Sequence, residues 1–354
     1  MSKFFSNKYK NLTPYVPGEQ PKEKQYVKLN TNESPFMPSD KAIALAKEQT
    51  EKLNLYSDPD LIELTAMTAK AVGVNSENVI MTNGSDEVLN FIFMAYCDKD
   101  NPALFADVTY GFYKVFAEIN GVKGEEIPLR EDFSLSVDDY IGKKGTVFIA
   151  NPNAPTGILL PLSEIERLLL SDRERIVVID EAYVDFGGKS AISLIDKYDN
   201  LIVTQTFSKS RSMAGARLGF GVANKEIIRD LMSIKYSTNP YNVNRMTASA
   251  GVGALLDEDY FNENCAKIVQ NREWTKKELE SLGFDVLPSM ANFVFAKNDK
   301  ISGKELYLRL KERGVLVRHF DKERIKEYNR ITIGSLEQMQ IFIKATKEIL
   351  EGAQ

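Results

Sequence analysis

A chain of 354 residues, 43% hydrophobic and 27% charged, has the balance of a water-soluble globular protein and is long enough for a large core, more readily in two subdomains than in one. A net charge of −5 supplies no basic face for nucleic acid or for an anionic membrane. Two cysteines, Cys97 and Cys265, and a single histidine, His319, exclude a disulfide framework, an HExxH site and any multi-histidine metal centre, so no metal is expected and the chemistry falls to Lys, Asp, Tyr, Arg or a borrowed cofactor.

Residues 1–30 contain Pro14, Pro17, Gly18 and Pro21 and read as an extended arm. They lack the apolar core of a signal peptide, and no stretch approaches a membrane span, which together with the sparse cysteines points to a reducing, cytoplasmic setting. Beyond the arm, apolar strand-like runs recur at VIMT (79–82), ALFA (103–106), TVFIA (146–150), RIVVID (175–180), LIVTQTF (201–207) and LGFGVA (218–223). Helical patterns such as SDEVLNFIFMAYC (85–97) and LSEIERLLL (162–170) separate most of them. Continuous apolar strands alternating with helices predict an α/β fold with a largely parallel sheet covered on both faces. After about residue 245 the pattern changes to long helices followed by strands at ANFVFAK (291–297), GVLVRHF (314–320) and NRITIG (329–334), with a closing helix near 335–351. The division expected is an N-terminal arm (1–30) that joins a small α+β domain (246–354), with a large domain (31–245) between them.

In an open α/β sheet, ligands bind beyond the carboxyl ends of the strands. Four polar clusters fall there. TNGSDE (82–87) runs from a strand through Gly84 into a helix, where backbone N–H groups and Ser85 suit a phosphate, or where Ser85 is simply a helix cap. In IDEAYVDF (179–186), Asp180 closes an apolar strand and either finds a positive or hydrogen-bonding partner or is a solvated loop acid; Tyr183 lies three residues on. TFSKSRSMAGARLGFG (206–221) places Ser208, Lys209 and Arg217 around one strand end. A surface lysine is the plain reading of Lys209, but a desolvated amine is a nucleophile that forms a Schiff base with an aldehyde, and the Arg217 fork suits a phosphate. NPNAPTG (151–157) is a turn whose Asn153 amide either faces the same crevice or only shapes the turn. One ligand answers all of these together. It carries a phosphate for Ser85 and Arg217, a basic ring nitrogen for Asp180 and an aldehyde for Lys209, and pyridoxal 5′-phosphate has all three.

The ordered segments LTPYVPGEQ, LNTNESP, YSDPD, TNGSDE, NPNAPTG, VVIDEAYVDF, TFSKSRSMAGARLGF, GVLVRHF and RITIGS span nearly the whole chain. In this order they resemble the histidinol-phosphate aminotransferase family of fold-type I pyridoxal-phosphate enzymes. The resemblance implies a large domain with a mostly parallel seven-stranded sheet and a smaller α+β domain. It implies Lys209 as the lysine that bonds the cofactor and moves the proton of the 1,3-shift, Asp180 on the ring nitrogen, Tyr183 on the ring 3′-oxygen and Tyr110 stacked on the ring. Gly84, Ser85, Asp86, Ser208 and Arg217 would form the phosphate cup, and Tyr56 would reach the phosphate of a neighbouring subunit, which implies a homodimer with shared sites. Arg330 and Arg318, with Tyr15 and Asn32 near them, match the family's substrate-anion binders; Arg330 as a structural ion-pair partner is the alternative.

Many relatives carry Asn-Pro-Thr-Gly where this chain has Ala154, so Asn153 is expected to take over the ring-oxygen contact or Tyr183 to serve alone. The implied reaction moves an amino group between a small-molecule amino donor, L-histidinol phosphate, and a 2-oxo acid, 2-oxoglutarate, in histidine biosynthesis. Aromatic amino-acid aminotransferases and threonine-phosphate decarboxylases are built on similar motifs. A non-catalytic, pyridoxal-phosphate-binding regulator would need a DNA-binding extension, for which the chain shows no basic segment.

Overall fold

Apolar runs too short for helices become strands buried on both faces in the computed structural model, which describes residues 2–10, 12–21 and 23–352. In chain order the elements are β1 (Val27–Leu29), α1 (Asp40–Glu48), α2 (Ile62–Val72), β2 (Val79–Thr82), α3 (Ser85–Tyr96), β3 (Ala103–Ala106), α4 (Phe112–Asn120), β4 (Gly124–Ile127), β5 (Thr146–Ala150), α5 (Leu162–Ser171), β6 (Val177–Asp180), β7 (Leu201–Thr206) and β8 (Gly219–Ala223). Then follow α6 (Lys225–Thr238), α7 (Arg245–Leu255), α8 (Glu258–Ser281), β9 (Phe284–Val286), β10 (Phe293–Asn298), α9 (Gly303–Glu312), β11 (Val315–His319), β12 (Asn329–Thr332) and α10 (Leu336–Glu351).

Seven strands form one sheet in the order β2-β8-β7-β6-β5-β3-β4. The pairs β4–β3, β3–β5, β5–β6 and β6–β7 are parallel, while β8 runs antiparallel to both β7 and β2. The strand interior shows why no apolar–polar alternation is visible in the sequence. Val177 and Ile179 of β6 point to one face, where they meet Ile165, Leu168 and Leu169 of α5. Val178 points to the other, among Val88, Leu89 and Ile92 of α3. Both faces are dry, so Val177, Val178 and Ile179 run on as consecutive apolar residues.

The second sheet, in the order β1-β11-β12-β10-β9, is antiparallel except for the parallel pair β1–β11. Its core joins Leu29 of β1 to Ile268 and Leu279 of α8, Leu306 and Leu310 of α9, and Met339, Phe342 and Ile349 of α10. The expected boundary at 245/246 falls at the start of helix α7. Its Ala250, Val252 and Ala254 pack in the core of the seven-stranded sheet, because the helix lies against α1 and α2 rather than on the smaller sheet. After α7 the chain enters the smaller sheet's core, with Cys265 of α8.

Three strands were not expected. β4 reads GEEI, with no apolar run, because it pairs on one side only, at the sheet edge. β1 and β9 are three residues each, too short to carry a pattern. Two arginines tie the sheets together: Arg324 Nη1 donates to Asp107 Oδ2 at 2.7 Å, and the buried Arg272 donates to the carbonyls of Phe186 (2.8 Å) and Ala291 (3.0 Å). Among the described residues, no helix is long and apolar enough to cross a membrane.

Candidate active site

The parallel strands deliver their carboxyl ends to one edge of the large sheet. β6 ends on Asp180, β7 is followed by Ser208 and Lys209, and β3 leads to Tyr110. Strands β11 and β12 of the smaller sheet face this edge, and a cavity of about 580 Å³ lies between the two.

One end of the cavity is built for an anion. Gly84 caps α3 with φ +79°, and the helix opens on Ser85 and Asp86, whose first-turn N–H groups have no intrahelical acceptor. Arg217, itself in a left-handed conformation at φ 57°, reaches over this terminus. Its Nη1 donates to Ser208 Oγ at 3.3 Å and its Nη2 to Asp86 Oδ2 at 3.0 Å. The fit leaves no room for a side chain at two glycines: a Cβ on Gly84 would stand 2.7 Å from Arg217 Nη2, and one on Gly219 would stand 2.4 Å from Ser85 N. Of the expected cup, Ser85, Asp86, Ser208 and Arg217 line the cavity, while Gly84 acts through its backbone just behind them.

In the middle stand a carboxylate and an amine, neither with an ionic partner among the described residues. Asp180 is buried; its Oδ2 accepts from the Tyr113 hydroxyl at 2.9 Å and its Oδ1 from Thr204 Oγ1 at 3.3 Å. Burial pushes its pKa up to about 6, against the hydrogen bond from Tyr113. Among the described residues Lys209 has no hydrogen-bond or ion-pair partner; its amine lies 5.8 Å from the centre of the Tyr183 ring. Burial brings this amine down to about 8, assisted by the Arg330 and Arg217 charges and opposed by Asp86 and Glu33. About a tenth of it is therefore an uncharged nucleophile at pH 7, and half at pH 8. Tyr110 donates to Asp86 Oδ1 at 2.7 Å and meets Tyr113 edge-on at 5.6 Å, so a network runs from Asp180 through two tyrosines to the anion end. Tyr113 and Thr204 were missed in the sequence. Thr204 left a signal, because it is a polar break in an apolar strand and pairs in register with Asp180; Tyr113 left none apart from its place one turn after Tyr110.

The far end is cationic. Arg318 and Arg330 are register partners on β11 and β12, so two guanidinium groups face the same side of one strand pair. Like charges directly opposite are unfavourable unless an anion joins them. Among the described residues neither has a carboxylate partner. Arg330 Nη2 donates to Asn30 O at 3.1 Å while its buried Nε has no acceptor, and Arg318 holds the Val16 and Pro17 carbonyls of the arm at 3.0 and 3.2 Å. Burial draws Arg330 below its ordinary guanidinium value. Tyr15 lines the same end, stacked on Phe112 at 4.3 Å. Asn32 also lines the cavity, but its amide is already engaged by Tyr183 and Thr332.

Two expected residues lie elsewhere. Asn153 does not line the cavity: its Nδ2 donates to Val108 O and Thr156 Oγ1, both at 3.0 Å, and its Oδ1 accepts from Thr109 at 2.8 Å, so its amide pins the loop and Ala154 faces the cavity instead. Tyr56 is 78% exposed, stacked on Tyr241 at 4.4 Å, and does not reach the cavity of its own chain.

The site fits pyridoxal 5′-phosphate on the chemistry of its donors. A buried carboxylate without a cation suits a protonated ring nitrogen, an unpaired depressed amine suits an aldehyde, and a helix N-terminus under a guanidinium suits a phosphate.

The comparisons agree with this chemistry. A model of the aminotransferase class I and II family matches residues 24–345. The chain is 45% identical over 353 residues to a histidinol-phosphate aminotransferase of Brachyspira hyodysenteriae, covering 99% of this chain and 100% of that one. The solved histidinol-phosphate aminotransferase of Clostridium acetobutylicum is similar at TM-score 0.85 and 25% identity, over 92% of this chain and 99% of the other. That of Sinorhizobium meliloti, in complex with pyridoxal-5′-phosphate, shares the fold at TM-score 0.91 and 22% identity, over 100% of this chain and 99% of the other.

Proposed function

Because the chain belongs to the class I and II aminotransferases, we propose that it transfers an amino group between L-histidinol phosphate and 2-oxoglutarate, the transamination of histidine biosynthesis. The observation that carries the reading is the placement of two anion sites in one cavity, with the Lys209 amine and the Asp180 carboxylate between them. Ser85, Asp86, Ser208 and Arg217, with the Gly84 backbone, hold the cofactor phosphate. Arg318 and Arg330, with Tyr15, hold the substrate anion: the phosphate of the amino donor in one half-reaction and a carboxylate of the acceptor in the other, both of which a guanidinium fork binds.

Pyridoxal 5′-phosphate, when bound, supplies the aldehyde and the electron-withdrawing ring that side chains lack. The chain's residues do the rest. Asp180 would hold a proton on the ring nitrogen, Tyr183 would donate to the ring oxygen, and Tyr110 would lie against the ring. Lys209 Nζ would hold the cofactor through its aldehyde and serve as the base and acid that takes up and returns the proton of the transfer.

The active molecule of this reading is a cytoplasmic homodimer with shared sites. Tyr56 supports it, standing exposed beside the exposed Leu53, Leu55, Ile62 and Tyr241 and away from its own cavity. The packing supports a division into an arm (1–30), a large domain extending through α7, and a small domain from α8 onward.

The test of substrate is a single-turnover comparison, in which bleaching of the visible absorbance of the cofactor-loaded protein is followed with histidinol phosphate, phenylalanine, tyrosine and threonine phosphate. Histidinol phosphate is expected to give the highest kcat/KM. A far higher value for an aromatic amino acid would overturn the assignment.

A further inference from the structure

The hydrogen bonds around Asn32 run in a direction that their own atoms dictate. Asn32 is 1% exposed and holds a left-handed backbone at φ 56°, a conformation kept by a non-glycine residue only where its surroundings enforce it. Its backbone N–H can only donate, and gives its proton to Thr332 Oγ1 at 3.0 Å. The Thr332 hydroxyl in turn donates to Asn32 Oδ1, 2.9 Å away. With the amide oxygen committed to Thr332, the amide nitrogen faces Tyr183 and donates to its hydroxyl oxygen at 3.0 Å. Tyr183 accepts from Asn32, so its own proton is free for an acceptor in the cavity that both residues line. Asn292 Nδ2 donates to the Asn32 carbonyl at 3.1 Å and holds the segment from its other side.

Position 154 gives this arrangement its consequence. Ala154 faces the cavity with no amide to offer, and the neighbouring Asn153 amide is spent on Val108, Thr109 and Thr156. We propose that Asn32 is a positioning residue that makes Tyr183 a one-way hydrogen-bond donor toward the cavity and so compensates for the amide missing at Ala154. The inference rests on the cavity being the pyridoxal-phosphate site, with the cofactor's ring oxygen as the acceptor; Asn32 then acts on the cofactor through Tyr183 rather than on the substrate.

Donation to the ring oxygen stabilises its anionic form, so losing that donation lets the loaded site keep its proton to higher pH. The charged groups around Tyr183 are Arg330 from β12, Lys209 beyond β7, Asp180 from β6 and Asp86 from α3. All four stay in place in the variants below. Wild type, Asn32→Gly, Asn32→Asp, Tyr183→Phe and the double variant Asn32→Gly/Tyr183→Phe are loaded with pyridoxal 5′-phosphate. Visible absorbance is then followed against pH, and the cofactor dissociation constant is measured alongside. Glycine is chosen because it adopts the left-handed backbone without strain.

Asn32→Gly is expected to raise the pH midpoint toward that of Tyr183→Phe, by about one pH unit, and the double variant to go no further than Tyr183→Phe alone. Asn32→Asp, whose carboxylate can only accept from Tyr183, reverses the donor and is expected to raise the midpoint at least as far. A wild-type midpoint in Asn32→Gly, or shifts that add in the double variant, would overturn the inference while leaving the site assignment intact. Wild type that develops no visible absorbance with the cofactor would overturn the site assignment and the inference with it.

Discussion

At Asp180 the fold holds a carboxylate against two hydroxyls, Tyr113 and Thr204, with no cation beside it, and burial moves its pKa from 3.8 to about 6. The buried Glu181 next to it is pushed up to about 7, against hydrogen bonds from Ser190, the Ala191 N–H and Gln205. Both groups hold their protons more tightly folded than unfolded. Between about pH 4 and 7 the folded state therefore binds more protons, and the cofactor-free protein loses stability as pH rises through that window. For Asp180 the shift of about two units corresponds to roughly 3 kcal/mol. Asp180→Asn should remove activity yet stabilise the cofactor-free protein by about 2–3 kcal/mol in urea unfolding at pH 8, a gain that fades by pH 4. Equal stability of the two proteins at pH 8 would show that the carboxylate is not desolvated as described. Asp180 and Lys209 were legible in the sequence only as a set with Ser85 and Arg217, because each alone reads equally well as an ordinary solvated group while one ligand accounts for all four. Tyr113 was not, and Asn32 was expected at the substrate end rather than against Tyr183, since the partners of these two residues lie 67 and 151 positions away and only the fold brings them within reach.

Among the elements, α3 carries the sharpest constraint. Its first turn presents N–H groups to the cavity, its cap sits at φ +79°, and Arg217 closes over it. Gly84→Ala adds a methyl that must stand 2.7 Å from the Arg217 guanidinium, on a backbone at φ 79° and ψ 164° that is essentially restricted to glycine and costs other residues about 1–3 kcal/mol. The variant should fold, because the clash is with the end of a flexible side chain, and should bind pyridoxal 5′-phosphate at least about tenfold more weakly. Cofactor titration followed by absorbance measures this, and wild-type affinity would mean that Arg217 is not part of the cup. The same element shows what a sequence pattern carries. The SDEVLNFIFMAY helix is visible because Val88, Leu89, Ile92 and Phe93 form one buried face, and β5 to β7 because neither of their faces meets water. β4 has neither property: GEEI at a sheet edge is held by backbone pairing with β3, a contact that side-chain pattern does not record. Helix α7 looks like the start of a new domain along the chain, yet it is packed by α1 and α2, from about two hundred residues earlier.

At the scale of the molecule, the open question is whether one chain makes a whole site. Tyr56 stands at 78% exposure with its ring on Tyr241 and its carbonyl accepting from Arg245 at 2.6 Å, and it does not line the cavity that its own Ser85 and Arg217 line. Shared sites would give it a use, on the phosphate held by a second copy. Mixed subunits distinguish the cases. Lys209→Ala disables the site that contains it, and Tyr56→Ala disables the site of the neighbour. In a hybrid of the two variants both lesions fall on the same site if Tyr56 crosses the interface, and the other site is wild type. Unfolding and refolding the two inactive variants together should then restore roughly a quarter of the sites, because half of randomly assembled dimers are hybrids and each carries one intact site. If Tyr56 served its own chain, every hybrid would carry one lesion in each site and mixing would restore nothing. Recovered activity that grows with the hybrid fraction, measured as amino transfer against the refolding ratio, is the expected outcome; activity no higher than the average of the two variants at every ratio would show that Tyr56 does not serve the neighbour's site.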